Sequence, residues 1–86
     1  MKNKVLVKIS IPEIDLLIDV FLPINKKIGN IINLLNKSIN ELTDNEFILS
    51  NENSLYNITT KEKYQSDVLL AETNIRNGTF LVLLSK

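Results

Sequence analysis

The spacing of apolar residues changes at Pro23, and this change limits the folds open to the chain. Before Pro23, apolar residues recur at every second position in "KVLVKISI" (4–11) and "DLLIDVFL" (15–22), with the turn-forming "PEID" at their junction. This is the period of half-buried strands, so the two runs predict a hairpin. After Pro23 the period becomes helical, with apolar positions at Ile24, Ile28, Ile31, Ile32, Leu35, Ile39 and Leu42. One amphipathic helix is predicted, with Pro23 in its first turn.

Short apolar runs after the helix predict further strands. "FILS" (47–50) and "LYNI" (55–58) flank the polar "NENS", a pattern typical of a second hairpin. "VLLAETNI" (68–75) predicts a single helical turn. Asn77-Gly78 favours a tight turn before the last strand, residues 79–85. We expect this apolar strand to lie in the centre of the sheet.

Composition excludes several classes of function. The 86 residues contain 10 Lys and Arg, 10 Asp and Glu, and neither His nor Cys. The balanced charge disfavours nucleic acid and anionic membranes as partners. Without His or Cys, the usual zinc ligands, a thiol nucleophile and the usual base at neutral pH are missing, so we expect neither a cofactor nor an enzyme. No signal peptide or membrane-spanning segment is predicted, which favours the cytoplasm.

The predicted elements describe one α+β domain over residues 1–86, with a mixed sheet of four to five strands and one helix on one face. Their order resembles the β-grasp, or ubiquitin-like, fold. "DVFLPINKKIGNIINLL" (19–35) resembles the strand-to-helix passage of the YukD-like ubiquitin-fold proteins that accompany bacterial type VII (WXG100) secretion systems. "LLAETNIRNGTFLVLL" (69–84) is similar to the closing passage of ubiquitin-like domains.

The resemblance implies a bacterial, non-conjugating ubiquitin-like protein that binds a protein of the secretion machinery as an accessory component. Ubiquitin-type modifiers and sulfur carriers end in an exposed Gly-Gly, whereas this sequence closes with "LLSK". Covalent transfer is therefore not expected, in agreement with YukD-like proteins, which lack the diglycine. The alternative is a modifier or sulfur carrier whose native chain continues past Lys86 to a diglycine.

The last strand suggests where a partner binds. We expect its even-numbered apolar residues to face the helix, so that the odd-numbered ones point to the open face of the sheet. The side chains that would then adjoin on this face are predicted to form a protein-binding patch: Leu6, Ile48 (or its neighbour Leu49), Leu81 and Leu83. The comparable face is the main recognition surface of ubiquitin. The alternative is single surface apolar residues, which soluble proteins commonly show.

For other polar residues, a structural explanation stands beside the functional one. Lys26 and Lys27, near the helix start, suggest contact with an acidic partner or simply solvated lysines. Asp15 and Asp19 suggest acid–base or cation chemistry, but edge-strand charges that discourage aggregation explain them better. Tyr64 is predicted to pack its ring against the protein with its hydroxyl in water.

Overall fold

The computed structural model describes residues 3–43 and 53–84. Within these ranges the chain forms four strands, one α-helix and two single 3₁₀ turns. In chain order these are β1 (Lys4–Ile11), a 3₁₀ turn (Pro12–Ile14), β2 (Leu16–Pro23), α1 (Ile28–Leu42), β3 (Ser54–Asn57), a second 3₁₀ turn (Leu70–Glu72) and β4 (Phe80–Leu84). The strand predicted at 47–50 lies outside the described residues.

The four strands form one mixed sheet in the order β2-β1-β4-β3. β1 pairs antiparallel with β2 and parallel with β4, and β3 pairs antiparallel with β4. α1 covers one face of the sheet and leaves the other open. The last strand lies in the centre, as predicted, and the single helical turn predicted in 68–75 is the 3₁₀ turn Leu70–Glu72.

The core lies between α1 and the covered face of the sheet. β1 alternates as predicted, because its odd-numbered residues face the helix while Leu6 and Lys8 are exposed. The predicted helical stripe is also confirmed from Ile28 to Ile39. The buried apolar residues are Val7, Ile9, Ile11, Leu22, Ile28, Ile31, Ile32, Leu35, Ile39, Leu55, Tyr64, Leu70, Ile75, Leu81 and Leu83.

The predicted start of the helix is wrong, because Pro23 is the last residue of β2 and α1 begins only at Ile28. The intervening backbone pairs with the segment around the second 3₁₀ turn. The N–H of Leu70 donates to the carbonyl of Lys26 at 3.0 Å, and the N–H of Ile28 donates to the carbonyl of Val68 at 2.9 Å. These tertiary hydrogen bonds hold the residues after Pro23 out of the helix.

Gly29 is the helical residue that allows this close approach. Its N–H donates to the carbonyl of Ser66 at 2.9 Å. A Cβ at Gly29 would lie 3.2 Å from that carbonyl oxygen, closer than side chains normally sit. The N–H groups of Ile28 and Gly29, at the start of α1, are thus used by carbonyls of the chain itself and are not left free for an anion.

The helical stripe can be tested with neighbouring substitutions. Ile31 is fully buried and Asn33 is exposed. Ile31→Ala should lower the free energy of unfolding by about 2–5 kcal/mol, through lost transfer energy and the cavity left behind. Asn33→Ala should change it little, since Ala has the higher helix propensity and no packing is lost. Chemical denaturation measures both; greater damage from Asn33→Ala would contradict the placement of the stripe.

Candidate protein-binding face

The register between β1 and β4 decides which residues of β4 meet solvent. Lys8 lies opposite Phe80, and Ile9 lies opposite Leu81. Residues directly opposite each other share a face of the sheet. Because Ile9 belongs to the core, Leu81 also lies under the helix, and Phe80 shares the open face with Lys8.

The predicted faces of β4 are therefore wrong. Leu81 and Leu83 are fully buried at 0% exposure and cannot form part of an exposed patch, whereas Phe80 is 37% exposed. Of the predicted patch, Leu6 does lie on the open face, where it is 41% exposed. Ile48 lies outside the described residues. Since "FLVLL" is apolar at every position, its sequence does not show which alternate residues lie inside.

The Asn77-Gly78 turn sets this register. The side-chain Oδ1 of Asn77 accepts a hydrogen bond from the N–H of Leu6 at 2.8 Å, and the N–H of Gly78 donates to the Leu6 carbonyl at 2.8 Å. Gly78 has a φ of 88°, a conformation that glycine adopts without strain. The carbonyl of Thr79 then accepts from the N–H of Lys8 at 3.1 Å. The predicted turn is confirmed, and it anchors β4 to β1.

Apolar side chains from all four strands lie on the open face. Large apolar residues are at least 37% exposed on three of these strands, and half-buried ones lie beside them. We call this set the open-face cluster; its members are Leu6, Leu17, Phe21, Tyr56, Phe80, Val82 and Leu84.

Strand pairing joins members of the cluster within each half of the sheet, while Lys8 and Ser10 lie between the halves, opposite Phe80 and Val82. Leu6 lies opposite Phe21, and Val82 lies opposite Tyr56. A depression of about 500 Å³ opens beside Leu6 and Phe21, next to the Asn77 turn. Apolar surface that extends across neighbouring strands is the kind that partners cover, whereas single exposed residues need no explanation.

One ion pair crosses the cluster. Lys8 Nζ lies 3.6 Å from Asp19 Oδ1, and both side chains are about half exposed or more, at 46% and 64%. At such exposure the pair contributes little to stability, about 0–1 kcal/mol. Asp19 is thus paired with Lys8. Asp15 lies at the other end of β2, in a left-handed backbone conformation directly after the first 3₁₀ turn. The two carboxylates therefore do not form a paired acid–base site.

In 3–43 and 53–84, no three His, Cys, Asp or Glu side chains lie close enough together to hold a metal ion. No helix of these ranges is long and apolar enough to cross a membrane.

Tyr64 lies in a hydrogen-bonded network that its sequence context did not predict. Its hydroxyl donates to Asn74 Oδ1 at 2.6 Å and accepts from Asn57 Nδ2 at 3.0 Å. Asn57 Oδ1 in turn accepts from the N–H groups of Thr59 and Thr60, which closes the loop after β3. The hydroxyl is therefore not in open water, and the network fixes the 57–64 loop against the chain around Asn74.

Burial raises the pKa of Tyr64 above its ordinary value, because the phenolate would lose solvation. The hydrogen bond from Asn57 acts in the opposite direction, since it favours the phenolate, and the nearby charge of Glu62 adds to the rise. The folded state thus holds the Tyr64 proton more tightly than the unfolded chain does.

The helix on its mixed sheet superimposes on the ubiquitin-like domain of an Arabidopsis thaliana protein. The TM-score is 0.67 over 98% of this chain and 79% of that chain, at 15% sequence identity. The chain has the ubiquitin-like β-grasp fold. The fold class predicted from the sequence is confirmed.

Two larger chains contain a similar domain. One belongs to the MycP5-free ESX-5 inner membrane complex, with a TM-score of 0.70, 17% identity, and 98% of this chain matched to 21% of that chain. The other belongs to the crystal structure of ATBAG1 in complex with HSP70, with a TM-score of 0.65, 13% identity, and 95% matched to 40%. This ubiquitin-like chain spans less than half the length of either, and at these identities the likeness shows the fold alone. No protein-family model matches the chain, and no curated protein matches it in sequence.

The corrected faces of β4 can be tested with two adjacent substitutions. Phe80→Glu should leave the fold intact, because the new carboxylate would be solvated and would lie opposite Lys8. Leu81→Glu should prevent folding, because burying an unpaired charge costs several kcal/mol of a total stability of about 5–15 kcal/mol. Circular dichroism and thermal unfolding of the two variants would show this. The opposite ranking would restore the faces predicted from the sequence.

The Tyr64 network predicts a dependence of stability on pH. Above about pH 10 the unfolded chain releases the tyrosine proton first, so the free energy of unfolding should fall as pH rises toward the raised pKa of the folded state. Below that pH the contribution is fully present. In Tyr64→Phe this fall should be shallower, while Tyr56→Phe on the open face serves as the matched control. Urea denaturation across the alkaline range measures it; equal slopes in wild type and Tyr64→Phe would contradict the prediction.

Proposed function

We propose that this protein is a non-conjugating ubiquitin-like component that binds a partner protein through the open-face cluster. The observation that carries the proposal is the exposure of large apolar side chains of β1, β2 and β4 on one face of the sheet. Phe21 and Phe80 are the largest of them, and aromatic residues at the centre of interfaces commonly dominate binding energy. The Lys8–Asp19 pair supplies polar contacts within the same face.

Binding by a folded surface is consistent with the pairing of β4 along its whole length. Leu84 pairs with Ser54, so the backbone up to that residue belongs to the sheet. The proposal is recognition by this folded surface, without covalent transfer.

We further propose that the partner is a protein of a bacterial type VII secretion system and that binding takes place in the cytoplasm. Two observations support this. Residues 19–35 resemble the strand-to-helix passage of YukD-like proteins, and a chain of the ESX-5 inner membrane complex contains a domain of the same fold. The candidate partners are the WXG100 substrates and the FtsK-like ATPase of such a system.

The proposal predicts that a substitution on the open face weakens binding to the partner protein. The purified protein should bind the cytoplasmic part of the FtsK-like ATPase, or a WXG100 substrate, from the same genome. Phe80→Glu should weaken that binding roughly tenfold or more, because a central aromatic contact is typically worth 1–2 kcal/mol or more. Isothermal titration calorimetry measures both affinities.

The matched control is Asn33→Glu, which adds the same charge on the exposed side of α1, away from the sheet face. It should bind as wild type does. Absence of binding to every protein of the system would exclude the secretion role. Binding that Phe80→Glu and Leu6→Glu both leave unchanged would exclude the open-face cluster as the site.

A further inference from the structure

The two edges of the sheet differ in how they are covered. Along the outer edge of β3, the N–H of Tyr64 donates to the carbonyl of Leu55 at 3.0 Å, and the N–H of Asn57 donates to the carbonyl of Glu62 at 2.9 Å. β2 is the strand at the opposite edge. Among residues 3–43 and 53–84, no backbone segment pairs with its outer side. Within the described part of the chain, the β3 edge is therefore covered and the β2 edge is not.

The direction of the backbone groups on β2 follows from β1. The N–H of Lys8 donates to Thr79, so even-numbered residues of β1 direct their backbone groups toward β4 and odd-numbered ones direct them toward β2. Ile9 lies opposite Ile18, so these two residues exchange hydrogen bonds. The residues of β2 that alternate with Ile18 direct N–H and C=O outward; they are Leu17, Asp19 and Phe21. Such a row is a template for another strand.

An apolar groove runs beside this edge, between β2 and α1. It has a volume of about 350 Å³, and its walls include Val20, Leu22, Leu34 and Leu35. Leu34 is 51% exposed although it lies beside the core. A strand added to the β2 edge would place every second side chain toward this groove. The occupant must therefore be extended, with a free edge of its own and apolar residues at alternate positions.

The chain itself contains a segment with this chemistry, which is β2. Its helix-side residues Leu16, Ile18 and Val20 are apolar and only half-buried. We infer that a second copy of this chain pairs its β2 antiparallel with the first across a twofold axis, so that the two sheets join into one. In such an isologous contact each groove receives the half-buried residues of the other copy.

Charge at the two ends of β2 supports this pairing. Lys4 lies opposite Pro23 at one end, and Asp15 precedes Leu16 at the other. Antiparallel pairing brings the Pro23 end of one copy beside the Asp15 end of the second, so that each Lys4 approaches an Asp15 of the second copy. With Leu17 opposite Phe21 of the second copy, every outward N–H of β2 finds a carbonyl. Asp19 then faces its symmetry mate, and Lys8 in each copy balances the carboxylate.

Sedimentation equilibrium of the full chain from micromolar to millimolar concentration tests the inference. The mass should rise from monomer toward dimer. In parallel, amide hydrogen exchange followed by NMR should show concentration-dependent protection at the outward amides of Leu17, Asp19 and Phe21. The amides of Ile18 and Val20 already bond to β1 and should be unchanged. A monomer at every concentration, or a dimer in which the outward amides stay unprotected, would overturn the inference.

Matched variants on α1 locate the contact. Leu34→Lys, in the groove, should weaken dimerisation roughly tenfold or more, because it places a charge against the apolar strand of the second copy. Asn33→Lys, on the side of α1 away from the groove, should not weaken it. Both positions are exposed, so both variants should fold, and equal effects of the two would overturn the inference. Phe80→Glu should leave dimerisation unchanged, which separates this edge contact from partner binding at the open-face cluster.

Discussion

The parallel pairing of β1 with β4 organises the whole molecule. It places Leu81 beside Ile9 under the helix and leaves Phe80 beside Lys8 on the open face. Its register is fixed by short hydrogen bonds between Leu6 and the Asn77-Gly78 turn. A slip of one residue would exchange the two faces of β4, opening the core and removing the apolar surface proposed for partner binding. A single turn thus links the stability of the core to the composition of the exposed face.

Polar residues in the second half of the chain hold the loop that covers one edge of the sheet. Tyr64, Asn57 and Asn74 hold the 57–64 loop in place, so that its backbone covers the edge of β3. The β2 edge has no such cover among the described residues. The fold therefore presents two different surfaces for contacts: an apolar sheet face with one ion pair, and a strand edge beside an apolar groove. The two surfaces meet at β2, where Leu17, Asp19 and Phe21 direct their side chains to the open face and their backbone groups to the edge.

The candidate site could be predicted only in outline. The idea of an apolar patch on the open face came from the alternation of strand side chains, and Leu6 was placed on that face because Lys4 and Lys8 mark the wet side of β1. Leu81 and Leu83 were misplaced because a strand that is apolar on both sides lacks such a marker. Phe21 lies two residues from the charged Asp19 and shares its face of β2, a signal that could have added Phe21 to the predicted patch.

Local sequence was sufficient to predict the β1–β2 hairpin, the helical stripe from Ile28 to Ile39 and the Asn77-Gly78 turn. In each of these, polar and apolar residues separate onto opposite sides, or a residue type has a conformational preference that neighbours do not override. The late start of α1, the faces of β4 and the hydrogen bonds of Tyr64 required the folded chain. Each arises from contacts between residues far apart in sequence, such as Lys26 with Leu70 and Leu6 with Asn77. A pattern of neighbouring residues carries no information about which distant backbone group will satisfy a donor, and at these positions that choice fixes the structure.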